Sequence, residues 1–204
     1  MVTLFREPHL ITYSTGARIA RLSSARLESI GVVSAPAEFE RYAAYIIRQR
    51  VNFMTEGFDK FLRECLSQGR RIFIPDDNPA PVSQVELAEN DLGVTLPLSY
   101  KHFLLRCGSG LWCGERVVHP SELYAFDSDC LEMEGFISLV HNVRGVGDYV
   151  AINPSGSEVA GERVVYYCSH DPFGYGEIAE SFEDWSRKII DAQKRGIDLY
   201  EGAA

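Results

Sequence analysis

The stretch VELAENDLGVTLP at residues 85–97 decides the fold of this chain. Its apolar residues recur at helical spacing, and Ser83 with Glu86 has the pattern of a capping box, which predicts a helix that starts at Ser83. Gly93 ends the predicted helix, because glycine readily adopts the left-handed conformation that closes helices. The Leu96-Pro97 step then requires an extended backbone before a second helix begins. The stretch therefore predicts two consecutive helices that cross each other.

The residues that follow predict a sheet and a last helix. The second helix carries Tyr100, Phe103 and Leu104 on one side, and Gly108-Ser109-Gly110 ends it. Four strand-like segments rich in Val, Ile, Tyr and Phe come next, with a short helical turn at 120–123 between the first two. They are Arg116–His119, Phe136–Asn142, Asp148–Asn153 and Arg163–Cys168. With a final helix from Ser181, this order predicts an α+β fold: a mostly antiparallel sheet with the helices packed on one side.

An N-terminal extension precedes this domain. It predicts a hairpin within 10–22 and then two amphipathic helices at 36–50 and 57–68, whose apolar stripes need a surface to pack on. Three prolines within 75–82 exclude regular helix there and predict an extended linker. The predicted divisions are an extension at 1–74, a Pro-rich linker at 75–82, the main domain at 83–195 and a tail at 196–204.

The composition is that of a folded, acidic chain. Of its 204 residues, 46% are hydrophobic and 24% are charged, which supplies a core and excludes a disordered class. The net charge of −9 argues against a nucleic-acid partner, because phosphate contacts need a basic surface. The apolar runs are far shorter than the ~20 residues of a membrane span, and Met1–Leu10 interrupts its apolar residues with Arg6 and Glu7. A cytoplasmic location without membrane association is predicted.

Catalytic and metal-ligating patterns are weak. The five cysteines contain no Cys-x-x-Cys pair, so neither a disulfide framework nor a zinc ribbon is indicated. Arg106–Gly110 lacks the first glycine of a serine-hydrolase elbow, and Gly145–Gly147 lacks the third glycine of a nucleotide loop. Cys168 and His170 share a strand face, and Asp127–Glu134 is acidic without the spacing of a calcium loop. We expect no catalytic residue, metal site or cofactor, with an enzyme or metal-binding protein as an alternative.

Five segments in the same order resemble the SUKH superfamily of bacterial immunity proteins and yeast glucan-synthesis regulators. They are Val85–Pro97 continued by Ser99–Leu104, Gly108–Gly110, Gly147–Ile152, Val164–Tyr167 and Glu180–Trp185. The resemblance runs from about Phe58 to Ile190 and implies a non-catalytic module that binds proteins. In bacteria it implies an antidote that neutralises a cognate toxin. A cytoplasmic scaffold or regulator without a toxin is the alternative.

Charge is distributed unevenly along the chain. Residues 121–184 hold 13 acidic side chains and two basic ones, whereas residues 1–71 hold 11 basic and seven acidic. The acidic half either keeps the domain soluble or steers a basic partner, such as a nuclease-like toxin, towards one surface. The predicted contact residues combine carboxylates with large aromatic side chains. They are Asp127, Asp129, Glu132, Glu134, Asp171, Glu177, Trp112, Phe126 and Tyr175.

Overall fold

The computed structural model describes residues 56–127 and 131–203, with the side chain of Leu131 excepted. The hairpin predicted within 10–22, the helix predicted at 36–50 and the predicted contact residue Asp129 lie outside the described residues. Within the described part, four α-helices and a seven-stranded antiparallel sheet confirm the predicted α+β fold. No helix in these two ranges is long and apolar enough to cross a membrane.

The element bounds define one long sheet with helices before and after it. The helices are α1 (56–67), α2 (Val82–Leu92), α3 (Leu98–Cys107) and α4 (Phe182–Arg195). The strands are β1 (Phe73–Pro75), β2 (Gly110–Trp112), β3 (Glu115–Val117), β4 (Ile137–Val143), β5 (Asp148–Ile152), β6 (Glu158–Val159), β7 (Glu162–Arg163), β8 (Val165–His170) and β9 (Phe173–Ala179). The sheet order is β1-β2-β3-β4-β5-β8-β9, and β6 with β7 forms a separate hairpin. All neighbouring strands are antiparallel.

The four strands predicted from sequence are present with shifted ends, but β1, β2, β9 and the β6–β7 hairpin were not predicted. Strand propensity does not predict β9, because Gly174 and Gly176 interrupt its apolar residues. The structure supplies the reason for one of these glycines. A side chain on Gly176 would overlap the backbone carbonyl of Ala203, so glycine allows the C-terminal segment to cross the strand.

The start of α2 differs from the prediction, and the capping box at Ser83–Glu86 is wrong. The helix begins at Val82 with Pro81 in the N-cap position, and no side chain caps it. Proline supplies the fixed φ that suits a helix start, so a polar cap is not needed to place it. Helix α4 does have a side-chain cap, because the hydroxyl of Ser181 accepts a hydrogen bond from the backbone N–H of Asp184 at 3.0 Å.

The turn between α2 and α3 forms as predicted, and one carboxylate holds it. Gly93 closes α2 in the left-handed conformation with φ of 65°. Beyond it, a carboxylate oxygen of Glu89 accepts hydrogen bonds from the backbone N–H of Leu96 and from the ammonium group of Lys101, both at 2.8 Å. Glu89 therefore ties the end of α2 to the first turns of α3, which sets the angle between the helices.

Trp112 lies in the centre of the core, so the prediction that it contacts a partner is wrong. Its side chain is 0% exposed. The rings of Phe61, Phe73 and Phe103 surround it, with centroid distances of 6.2, 6.0 and 5.2 Å. Its indole N–H donates to the backbone carbonyl of Ser186 at 3.2 Å. One side chain thus joins α1, β1, α3 and α4 on a single face of the sheet.

Helix α1 shares this core, although it precedes the predicted linker. Phe58, Leu62 and Cys65 are buried in the same apolar cluster as the sheet and the other helices. Strand β1, which ends where the segment 75–82 begins, pairs with β2 in the main sheet. Residues on both sides of the Pro-rich segment therefore pack together, while the predicted division of the chain into domains stays a prediction.

The glycine corner after α3 presses its backbone against the Pro-rich segment. A Cβ atom on Gly108 would lie 2.7 Å from the carbonyl oxygen of Asn78, and one on Gly110 would overlap the carbonyl oxygen of Ile74. Both glycines also have positive φ, at 79° and 149°. The corner therefore requires glycine for the conformation and for the space.

We predict that Gly110→Ala lowers the free energy of unfolding by about 2–4 kcal/mol, because the added methyl group pushes β2 away from β1. Urea unfolding measures the change. The matched control is Gly114→Ala, which has φ of 91° but open space around its Cβ position. Gly114→Ala should lower the free energy of unfolding by about 1 kcal/mol, because it introduces backbone strain without a steric overlap. Equal losses in the two variants would contradict the packing argument.

A buried carboxylate fastens the β6–β7 hairpin to the start of α3. Glu162 is 6% exposed. Its two oxygens accept hydrogen bonds from the backbone N–H and the hydroxyl of Ser99, both at 2.7 Å. Burial raises the pKa of Glu162 to about 7, although the hydrogen bonds from Ser99 oppose the shift. The hairpin is thus attached through a group that titrates near neutral pH.

We predict that stability falls as pH rises and that Glu162→Gln weakens this dependence. The folded-state pKa lies above the ordinary value of 4.5, so the folded chain keeps a proton that the unfolded chain releases between these two values. Glu115, whose pKa burial also raises to about 7, contributes a slope of the same sign, whereas the lowered pKa of His141 contributes one of the opposite sign. The measurement is the free energy of unfolding in urea from pH ~5 to ~8. Glu86→Gln at an exposed position is the control, and an unchanged slope in Glu162→Gln would refute the assignment.

Candidate protein-binding surface

Strand β5 shows how the two faces of the sheet differ. Val150 and Ile152 belong to the core beneath the helices, whereas Tyr149 and Ala151 point to the other face, because successive side chains alternate. No α-helix of the described residues contributes to the cluster on that other face, which we call the open face. A register row of open-face positions crosses all seven strands. It consists of Ile74, Leu111, Arg116, His141, Tyr149, Cys168 and Tyr175.

Aromatic side chains dominate the part of the open face that β4, β5, β8 and β9 form. Residues 123–127 and 132–136 lie against these strands and add rings of their own, with Phe136 buried beneath them at 3% exposure. Neighbouring ring centroids are 5.2 to 6.5 Å apart, in tilted or edge-to-face arrangements. We call this set the aromatic patch. It comprises Tyr124, Phe126, Phe136, His141, Tyr149, Tyr166 and Tyr175.

Part of this apolar area is accessible. Tyr124 is 40% exposed, Tyr175 is 37% exposed, and Phe173 at the start of β9 is 59% exposed. Phe173 pairs with His170, two positions from Tyr175, and therefore lies on the same side of the strand. Large exposed aromatic side chains that are held by their neighbours are typical of protein contact surfaces.

The pKa shifts of His141 and Tyr124 both favour the neutral form. Burial and the nearby charge of Arg116 lower the pKa of His141 below 6.5, and its Nε2 atom is buried without a hydrogen-bond partner in the described structure. Burial and the hydrogen bond with Tyr149 raise the pKa of Tyr124 well above its ordinary value. The patch therefore presents neutral rings, and the charges lie outside it.

The predicted carboxylates surround the patch at exposed positions. Those described are Asp127, Glu132, Glu134, Asp171 and Glu177. Glu177 lies opposite Tyr166 and accepts a hydrogen bond from its hydroxyl at 3.4 Å. Glu132 and Glu134 flank Met133, whose side chain is buried in the open-face cluster. Of the predicted aromatic residues, Phe126 and Tyr175 belong to the patch, and the contact roles of all these residues stay predictions.

The two basic residues within 121–184, Arg144 and Arg163, each form a salt bridge with a carboxylate. The guanidinium of Arg144 lies 2.9 Å from a carboxylate oxygen of Asp198, and that of Arg163 lies 2.9 Å from Glu158. Neither carboxylate partner belongs to the set beside the patch. The acidic group there consequently keeps its negative field, which favours a basic partner.

Sequence reasoning missed most of the patch. Tyr149 and Tyr166 alternate with core residues along β5 and β8, and this period of two was the available signal. His141 was not identifiable in the same way, because irregular register shifts in β4 break the alternation on both sides of it. Tyr124 lies in a segment without regular structure, and only the chain path places it against the sheet.

A polar network beside the patch holds His170 in place. Asp148, 3% exposed, accepts hydrogen bonds from the hydroxyl of Tyr167 and from Nδ1 of His170, the latter at 2.8 Å. Burial opposes ionisation, but these bonds outweigh it and lower the pKa of Asp148. The network fastens the β8–β9 turn to β5. In the described ranges, no three His, Cys, Asp or Glu side chains are grouped so that they hold a metal ion.

These features define an α+β domain that covers one sheet face with helices and leaves an aromatic, acid-bordered surface on the other. The chain belongs to the SMI1 / KNR4 family (SUKH-1), whose family model matches residues 79–188, more than half of its length. Membership of this family is compatible with roles as an immunity protein and as a regulator. No curated protein and no solved structure gives a significant match.

We predict that Arg116→Gln raises the pKa of His141 towards 6.5, because it removes a positive charge that disfavours the imidazolium. Loss of Arg116 also frees the carboxylate of Glu122, which acts in the same direction. A proton NMR titration of the imidazole follows the change. Arg187→Gln, on the helix side of the molecule, is the control. A pKa that stays constant or falls in Arg116→Gln would show that the charge does not act on the patch.

Proposed function

We propose that this chain is a non-catalytic protein-binding module and that the open face is its contact surface. The observation that carries the proposal is the aromatic patch, which lies on the sheet face that the described α-helices leave uncovered and is bordered by exposed carboxylates. Its tyrosines offer large contact areas with few rotatable bonds and a polar tip. Their mutual packing fixes them before a partner arrives, which lowers the entropic cost of binding.

The partner that fits this surface is a basic protein. The carboxylates at Asp127, Glu132 and Glu134 attract positive charge over a distance, and the neutral rings provide the desolvated centre. We propose that the partner is a toxin, in particular one with a basic cleft for nucleic acid, and that the chain acts in the bacterial cytoplasm by covering that cleft. Support comes from membership of the SMI1 / KNR4 family together with the uncompensated acidic border.

The second candidate is a cytoplasmic scaffold or regulator that binds a cellular protein and no toxin. Family membership favours it equally, because both functions require a complementary surface and no catalytic group. Gene order separates the two. A large secreted protein with a variable C-terminal toxin domain, encoded immediately upstream, supports the immunity function, and a genome without such a neighbour supports the scaffold.

We predict that reversing Asp127, Glu132 and Glu134 to Lys slows association with the toxin domain encoded upstream by about tenfold or more at low salt. Surface charges act mainly on the association rate, and screening at ~0.5 M salt, where the Debye length is about 4 Å, should remove the difference. Tyr175→Ala should instead speed dissociation, with an affinity loss of about tenfold or more. Stopped-flow association and surface-based dissociation measurements separate the two effects.

Matched variants control for net charge and for loss of an exposed apolar side chain. Asp77, Glu86 and Asp91 are exposed carboxylates on and before α2, and their reversal changes the net charge by the same amount. Leu87→Ala removes an apolar side chain that is 58% exposed. If the control triple slows association as much as the test triple, or if Tyr175→Ala binds normally, the open face is not the contact surface.

A further inference from the structure

Among the described residues, strand β9 is a free edge of the sheet. It is the last strand in the order and pairs with β8 over its seven residues. No described residue outside β8 makes a backbone-to-backbone hydrogen bond with β9, and the carbonyl of Ile178 is engaged by the side chain of Lys188 at 3.1 Å. From Phe173 to Glu177 exposed and half-buried positions alternate, and the C-terminal segment crosses the strand at Gly176, on the face opposite Tyr175.

The two edges of the sheet are built differently. Strand β1 has three residues and ends in Pro75, and two further prolines follow within the segment 75–82. Short length and proline are devices that stop an edge from pairing with another chain. Strand β9 has no proline and no lysine, and its register shift with β8 lies at its far end, beside Ala179. Unprotected edges of this length are templates for an added strand.

The free edge is continuous with the aromatic patch. Phe173 and Tyr175 point to the open face, and the ring of Tyr175 contacts the rings of Phe136 and Tyr166 at 5.3 and 5.8 Å. A chain that pairs with β9 would place every second side chain beside these rings. Backbone hydrogen bonds and side-chain contacts would then be made by one extended segment, as in recognition by strand addition.

The charges along β9 indicate which kind of chain can pair with this edge. Asp171, Glu177 and Glu180 lie exposed along β9 and its two ends. Pairing of two copies through this edge would bring both sets of carboxylates together in a molecule that already has a net charge of −9. A second copy is therefore disfavoured, whereas a segment with Lys or Arg side chains is attracted.

We propose that β9 accepts an extended basic segment of the partner protein as an eighth strand of the sheet. The segment alternates basic residues with aliphatic or aromatic ones, so that the apolar side chains extend the patch and the basic ones reach the carboxylates. The inference rests on the proposed function and specifies how the partner is held. Main-chain hydrogen bonds along residues 173–177 provide affinity, and the flanking charges provide selectivity.

The test uses the full chain and a synthetic peptide of about nine residues that alternates arginine and valine, acetylated and amidated at its ends. Calorimetry gives its affinity, and amide NMR spectra with hydrogen exchange locate its contacts. The expected result is slowed exchange of amides within Phe173–Ala179 when the peptide binds. The same peptide with every backbone amide N-methylated should bind at least about tenfold more weakly, because it lacks the donors that a strand needs. An alternating glutamate–valine peptide should not bind.

A pair of protein variants provides a second readout. Phe173→Lys adds an edge lysine at an exposed position and should weaken the arginine–valine peptide about tenfold or more. Val82→Lys, at a side chain that is 56% exposed at the start of α2, is the matched control and should bind normally. Both substitutions replace exposed apolar side chains, so that the fold is retained and the comparison isolates the edge.

Three results would overturn the proposal. Equal binding of the N-methylated peptide, with shifts at Tyr149 and Tyr166 but not in β9, would refute strand addition while leaving the open face as a contact surface. Slow exchange, without peptide, of the β9 amides that do not donate to β8 would show that residues 1–55 or a second copy already occupy the edge, and sedimentation distinguishes these two occupants. Failure of the arginine–valine peptide to bind would exclude a basic strand here, and the separate toxin-domain measurement decides the proposed function.

Discussion

The packing around Trp112 is the interaction on which the rest of this structure depends. Its indole contacts rings from α1, β1 and α3, and its N–H satisfies a carbonyl in α4. Because these elements meet at one side chain, the helices α1, α3 and α4 lie on the same face of the sheet. The glycine corner at Gly108–Gly110 is the geometric condition for this arrangement, since it lets the backbone approach closely enough for β1 to pair with β2.

The helices pack on one face of the sheet, and the side chains of the aromatic patch occupy the open face. Within the described structure the rings of the aromatic patch pack on each other, and part of them remains exposed. Their edge-to-face contacts make the surface stiff without an overlying helix. A stiff, neutral, apolar centre bordered by carboxylates satisfies two requirements of specific association, low ordering cost and electrostatic steering.

Two buried carboxylates hold the β6–β7 hairpin and the β8–β9 turn against the rest of the domain. Glu162 attaches the β6–β7 hairpin to α3, and Asp148 attaches the β8–β9 turn to β5. Both are carboxylates, but burial dominates for Glu162 and raises its pKa, whereas hydrogen bonds dominate for Asp148 and lower its pKa. The turn beside the free edge is therefore held by an ionised group over the neutral pH range, which keeps β9 in place.

The sequence by itself determined the elements whose signals are local. Helical spacing in 85–107, the stop at Gly93, the strand-like runs and the alternation of Tyr149 with core residues follow from backbone geometry and side-chain type, and they were sufficient for the α+β class. Only the tertiary structure decided that Trp112 is buried, that β9 is a strand despite its glycines and that Tyr124 joins the patch. The physical reason is that burial and sheet pairing depend on residues distant in sequence, such as Ser186 beside Trp112 and Ala203 beside Gly176.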